Sequence, residues 1–340
     1  MSKMITVTGG NGFIASHVIQ QLLESPHQHQ ITATVRSFEK GSVITSFAGA
    51  AERLVLKEAN LNDADSFDFA GQDVVLHLAS PFTLTVKDNQ KDLIDPAVNG
   101  TLAVLKAAKR AGSVKTVVVT SSLAAITESP QAGKVLDETM WNQDSSVSHN
   151  PYYYSKLVAE KAAWKFMDEN PDCKFKLITL LPGFVIGPSH TSTINESVST
   201  ILNTINGGFP IRVNLWFPFV DVRDVARAHI AAFENSVASG RYILVGDKTL
   251  SMSETCDVIL GKYPEYKDKV ATFNAPNILP WLFSFAQPAG TASYLRANLS
   301  KVPGYQIRNN KAKAGLGIGF RPAEEAILAT VEDLIKWKHV

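Results

Sequence analysis

At 340 residues the chain exceeds the roughly 250–300 residues at which a single hydrophobic core stops growing, so a main domain with a second lobe is expected. Its residues are 45% hydrophobic and 19% charged, ordinary values for a folded globular protein, which exclude a disordered or low-complexity chain. Lys plus Arg number 33 against 32 Asp plus Glu, a net charge of +1, so the basic field that a nucleic acid partner requires is missing.

The chain opens on Met4–Thr8, a strand-like segment, without a signal peptide's apolar core, and no apolar run approaches the ~20 residues that span a bilayer. A cytoplasmic protein with no membrane partner is expected, acting on a small molecule as a monomer or homodimer. Cys173 and Cys256 lie far apart with no Cys/His cluster, which argues against a disulfide framework and against a metal site.

Taken in chain order, "MITVT" is a short β-branched run, followed after glycines by a helical pattern from Phe13 to Glu24. Further apolar runs cover Ile31–Val35, Arg53–Leu56, Val74–Ala79, Thr116–Ser121 and Lys176–Leu181. They are continuous rather than alternating, as in strands buried on both faces. Helix-length segments at Pro96–Ala111 and Tyr152–Glu169 separate the later ones. The alternation predicts an α/β fold, a doubly wound parallel sheet of Rossmann type with helices on both faces.

Beyond Pro188 the rhythm changes. A helix is expected within residues 193–208, a short strand and helix within 217–235, a strand at 240–246, a helix capped by Ser251, and a last helix from Glu324 to Lys338, after an aromatic and proline-rich stretch. The expected division is 1–190 with 212–248 as the cofactor domain, and 191–211 with 249–340 as a smaller C-terminal substrate-binding lobe.

Between the first strand and helix, "TGGNGFIAS" spaces Gly9, Gly12 and Ala15 as a dinucleotide fingerprint. Glycine lets backbone approach a pyrophosphate, and the helix N-terminus supplies free N–H groups. A plain strand-to-helix turn is the alternative; the position at the head of a βαβ series favours the fingerprint. At the end of the second strand an NAD site carries an acid about 20 residues on, whereas arginine accommodates a 2′-phosphate. Here Arg36 stands twenty-one positions after Ala15, with no acid until Glu39. Arg36, helped by Lys40, therefore reads as selecting NADP(H), against the alternative that both are solvated loop charges.

In "NPYYYSK", Tyr152 and Lys156 are four apart and share a helix face, while Tyr153 and Tyr154 are rotated away. Asn150 is expected to cap this helix, with Pro151 in its first turn. A nearby ammonium favours the ionised phenol, which would make Tyr152 a tuned acid/base. In "VVVTSSLAA", Ser122 or its neighbour Ser121 offers a hydroxyl at the C-terminal end of a sheet strand, where ligands of open parallel sheets bind. That hydroxyl can hold a carbonyl oxygen for Tyr152 to protonate.

Together with "VVLHLASPF", "LLPGFVIGP", "VDVRDVARAH" and "FRPAEEAI", these stretches resemble the extended short-chain dehydrogenase/reductases. The branch is the one that contains dihydroflavonol reductase, cinnamoyl-CoA reductase and microbial aldehyde/ketone (methylglyoxal-type) reductases. The resemblance implies a Ser122, Tyr152, Lys156 triad that reduces a carbonyl with NADPH, Lys156 also holding the nicotinamide ribose. It implies cofactor contacts from Phe13 and Ile14 in the glycine turn, from Leu78, Ala79 and Ser80, and from Pro182, Gly183 and Val185 beside the nicotinamide. Asn60 and Leu61 would flank the adenine, although the family usually has Asp where Asn60 stands.

Departures bear on substrate. The cinnamoyl-CoA reductases share "NWYCYGK" where this chain has "NPYYYSK", which disfavours a CoA thioester. Thr127 stands where dihydroflavonol reductases place asparagine, five residues after the serine, which weakens a flavonoid substrate. Phe82, Thr83, Ile126, Thr127, Trp216 and Phe217 are candidates for the substrate pocket, although aromatics in such stretches more often pack in the core. His77, inside an apolar strand, reads as a core histidine, and Asp221 and Asp224 as residues that hold the lobes together. The rival functions are a sugar-nucleotide epimerase or dehydratase with tightly held NAD, and a non-catalytic NADP-binding regulator; Arg36 opposes the first and the intact triad the second.

Overall fold

A computed structural model describes residues 1–80, 87–128, 134–213, 215–276, 278–285 and 306–340. The expected β-branched runs form a seven-stranded, all-parallel sheet. Met4–Thr8 lies inside it, with Gln30–Val35 and then Leu54–Glu58 on one side. On the other side follow Val74–His77, Thr116–Thr120, Lys176–Pro182 and Gly240–Leu244. The order reverses at the first strand: Ile5 pairs with Ile31 on one flank and Val74 on the other. Such a switch point opens a crevice at the C-terminal ends of the strands.

Both faces of the sheet are covered, which is why its strands read as continuous apolar runs. One face packs Val18, Ile19 and Leu22 of the Phe13–Glu24 helix against Val225, Ala228 and Phe233 of the Val222–Glu234 helix. Each fully buried aliphatic side chain of this kind contributes about 1.5–3 kcal/mol. The other face packs Val104 and Leu105 of the Asp95–Ala111 helix and Ala163 and Phe166 of the Pro151–Glu169 helix over Val75, Val117 and Leu177.

A separate core, with Val198, Ile201, Ile259, Ile327 and Val331, joins the Glu196–Ile205, Met252–Lys262 and Ala323–Lys336 helices. Ser251 begins the second of these with a reciprocal cap: its Oγ accepts from the Glu254 N–H, and its own N–H donates to the Glu254 carboxylate. The Asn310–Leu316 helix lies elsewhere. Its Ala312 and Leu316 join the core under the main sheet, and Lys311 Nζ donates to the Arg241 carbonyl.

Asp224 ties the chain's last third to the sheet side: it accepts from the Arg321 backbone N–H at 2.6 Å, from the Arg321 guanidinium and from Arg227 at 2.8 Å. Asp221 caps its own helix through the Arg223 N–H and pairs with the Arg223 side chain, whose guanidinium also reaches Glu325 of the Ala323–Lys336 helix at 3.6 Å. No helix of the described residues is long and apolar enough to cross a membrane.

Candidate active site

The glycine turn follows the first strand. Gly9 has φ +68°, and a Cβ there would meet the Ala79 Cα at 2.9 Å, so the turn lies against the chain leaving the fourth strand. Gly12 begins the Phe13–Glu24 helix with no side-chain cap. The first-turn N–H groups of a helix have no partners within it, and here Gly12, Phe13, Ile14 and Ala15 border a cavity of about 600 Å³.

The two candidate serines part company at the end of Thr116–Thr120. Ser121 is buried and its Oγ donates to Glu160 Oε2 at 2.7 Å. Ser122 faces the cavity, and its Oγ accepts from the Ala124 N–H at 3.2 Å, which caps the turn at Leu123–Ala125. Adjacent residues of extended chain point to opposite sides, so Ser122 alone borders the main cavity, while Ser121 borders the smaller space beside it.

Pro151 opens the Pro151–Glu169 helix as expected, but Asn150 does not cap it through its side chain. Its backbone is left-handed, with φ 54°, a conformation that asparagine tolerates better than most residues, and it turns the chain sharply into the helix. Tyr152 and Lys156 both face the cavity. Lys156 Nζ lies 5.3 Å from the Tyr152 ring centroid and donates to Ser80 Oγ at 2.5 Å.

The phenol is not lowered as the sequence leads one to expect. Burial, with smaller contributions from Tyr153 and Glu196, pushes Tyr152 above the usual range of a phenol. Burial also pulls the Lys156 ammonium down to about 8. Desolvation thus outweighs attraction between the two groups, and Tyr152 holds its proton at neutral pH.

Leu78, Ser80, Pro182, Gly183 and Val185 border the same cavity, and so does Thr127. A Cβ at Gly183 would come within 2.3 Å of the Pro218 carbonyl oxygen, so glycine is what lets the two segments close this wall. Ala79 and Leu61 border a smaller space beside it, with Ser80, Lys156 and His77.

The remaining candidates lie apart from the cavity. Arg36 and Lys40 are exposed at and just after the end of the Gln30–Val35 strand, and Asn60 is exposed after Leu54–Glu58. Ile126 is packed in the core with Leu123, Leu136, Leu181 and Ile243. Trp216 belongs to a short strand paired with Leu250–Ser251, and Phe217 stacks with Phe184 and Phe219. Phe82 and Thr83 fall outside the described residues. His77 is a core histidine: its Nδ1 shares a hydrogen with Thr8 Oγ1 at 2.8 Å, and burial holds it neutral with a pKa of about 4.

Among the wall residues that escape sequence reasoning, three bear on the site's chemistry. Tyr153 borders the cavity beside Tyr152, their rings edge to face at 6.0 Å. Glu128 comes from the loop after Ser122, and Glu196 from the first turn of the Glu196–Ile205 helix. The Asn195 cap marks where that helix begins, but only tertiary packing brings it to the crevice.

Residues 5–246 match the model of the NAD dependent epimerase/dehydratase family. The chain belongs to this family of extended short-chain dehydrogenase/reductases. Within the family it falls in the branch of cinnamoyl-CoA reductase, Gre2 and vestitone reductase. It is 38% identical to cinnamoyl-CoA reductase CAD2 of Medicago truncatula, covering 98% of this chain and 96% of the relative. It is 30% identical to the NADPH-dependent methylglyoxal reductase GRE2 of Saccharomyces cerevisiae, covering 98% of each. The crystal structure of yeast Gre2 complexed with NADPH matches with a TM-score of 0.82 at 29% identity, covering 99% of both chains.

Proposed function

We propose that this family member reduces small aldehydes or ketones to alcohols with NADPH. The observation that carries the proposal is the convergence of Ser122, Tyr152 and Lys156 on one cavity that also exposes the start of the glycine-turn helix. The relatives named as reductases at 30% identity and above point the same way.

The residues present fit the cofactor. The helix that begins at Gly12 offers unpartnered N–H groups to a diphosphate through Phe13 and Ile14, and Gly9, with no Cβ, leaves the turn close against Ala79. Arg36 and Lys40 would take the 2′-phosphate, Asn60 and Leu61 the adenine, and Leu78, Ala79 and Ser80 with Pro182, Gly183 and Val185 the nicotinamide end. Residues 1–190 and 212–248 would carry these contacts, and the remaining segments would shape the substrate side. When bound, NADPH supplies the hydride.

Ser122 donates a hydrogen bond to the substrate's carbonyl oxygen and draws electron density toward it. Tyr152 holds a proton at neutral pH and passes it to the same oxygen as negative charge develops there, yielding the alcohol. Lys156, anchored by Ser80, stabilises the phenolate left behind. Incubating the purified protein with NADPH and a panel of aldehydes and ketones should give carbonyl-dependent loss of NADPH absorbance. A panel with no turnover contradicts the assignment.

A further inference from the structure

Given the reductase reaction above, we infer that the cavity selects uncharged carbonyl compounds bearing a hydroxyl group and rejects those carrying an anionic group. Among the described residues of its wall, Lys156 is the one cation, and it is committed to Ser80 beside Tyr152. Two carboxylates face the same space. Glu196 stands at the solvent-exposed rim, on the first turn of its helix. Glu128 is 2% exposed.

Glu128 is built in rather than incidental. Ser145 Oγ donates to its Oε2 at 2.6 Å, and His149 Nε2 to its Oε1 at 2.7 Å. Ser145 is itself held by Asn142, whose amide also donates to the Ala124 carbonyl beside the catalytic serine. The carboxylate is thereby fixed in place, and each of its oxygens keeps a lone pair for another donor.

The field of these groups reaches Tyr152 and its neighbour Tyr153. Tyr153 is pushed up to about 12, by burial first and Glu128 second, and Glu196 adds to the upward push on Tyr152. A substrate anion would meet like charges in a partly dehydrated space, which selects by repulsion. A hydroxyl gains an acceptor instead.

The probes are 4-(hydroxymethyl)benzaldehyde, methyl 4-formylbenzoate and 4-formylbenzoate, which share a ring and a reacting carbonyl; the first carries a hydroxyl, the second is neutral without one, and the third is an anion. At neutral pH the order of kcat/KM should follow that sequence, with the carboxylate at least on the order of tenfold below the ester. Glu196→Gln, an exposed change that spares folding, and Glu128→Gln should each narrow the gap between ester and carboxylate. Equal turnover of ester and carboxylate by the parent protein overturns the inference while leaving the reductase assignment standing. So does a gap that Glu196→Gln and a folded Glu128→Gln both leave unchanged. Failure to reduce any of the three overturns the assignment and the inference with it.

Discussion

Ser121 Oγ donates to Glu160 Oε2 at 2.7 Å, joining the end of the Thr116–Thr120 strand, beside the candidate catalytic serine, to the helix that carries Tyr152 and Lys156. Glu160 is 2% exposed and also accepts from Thr179 and from Arg241, whose guanidinium stacks over Trp141 at 3.7 Å. Three strands and one helix therefore meet at a single carboxylate. Replacing it by alanine leaves Arg241 buried without its charge partner, a loss of about 3–5 kcal/mol for ion pairs of this kind. Urea unfolding of Glu160→Ala should show that loss, and a midpoint equal to that of the parent would mean that the network does not hold the site.

Arg36 tests cofactor choice. Loss of one charge-assisted contact of about 1.5–3 kcal/mol corresponds to a drop on the order of 10- to 100-fold in NADPH affinity. Arg36→Ala should lower kcat/KM for NADPH accordingly and leave NADH almost untouched. An unchanged preference would remove the phosphate role from this residue.

Acid should destabilise the fold through imidazoles that are wholly or partly buried. His77, His190 and His229 are each pushed to about 4, chiefly by burial, against about 6.5 in an unfolded chain. Between those values the unfolded chain binds more protons than the folded one, so stability rises with pH and is lost as pH falls from about 6.5 toward 4. His229 sits between Thr120 Oγ1 and the Val225 carbonyl, at 2.8 and 2.7 Å. Melting temperature should decline through this window, and the decline should be shallower in His229→Gln; an identical slope in the variant would exclude His229 as a contributor.

The sheet was legible because its inner strands are buried on both faces, so β-branched runs such as Val74–His77 carry no competing polar period, whereas the edge strand Leu54–Glu58 is largely exposed. The Tyr152 and Lys156 pairing was legible because helical spacing is local. What local pattern could not supply was set by tertiary packing. Ser121 and Ser122 are alike in sequence, and the fold separates them: Ser122 borders the main cavity, while the Ser121 hydroxyl is taken by Glu160. The Tyr152 phenol was expected to feel Lys156 most, yet burial by surrounding chain dominates. Glu128 directly follows Thr127, a residue read as a pocket candidate, yet nothing in the local pattern marks the carboxylate itself, and Glu196 enters the wall only through tertiary packing.

Tyr152→Phe puts the central claim most directly at risk, because the substitution removes one hydroxyl and keeps the ring. The measurement is kcat for NADPH-dependent reduction of an aldehyde that the parent protein accepts, alongside NADPH binding by fluorescence. The expected result is a loss of roughly 10²- to 10⁴-fold in rate with NADPH still bound. Turnover near the parent rate would show that Tyr152 is not the proton donor.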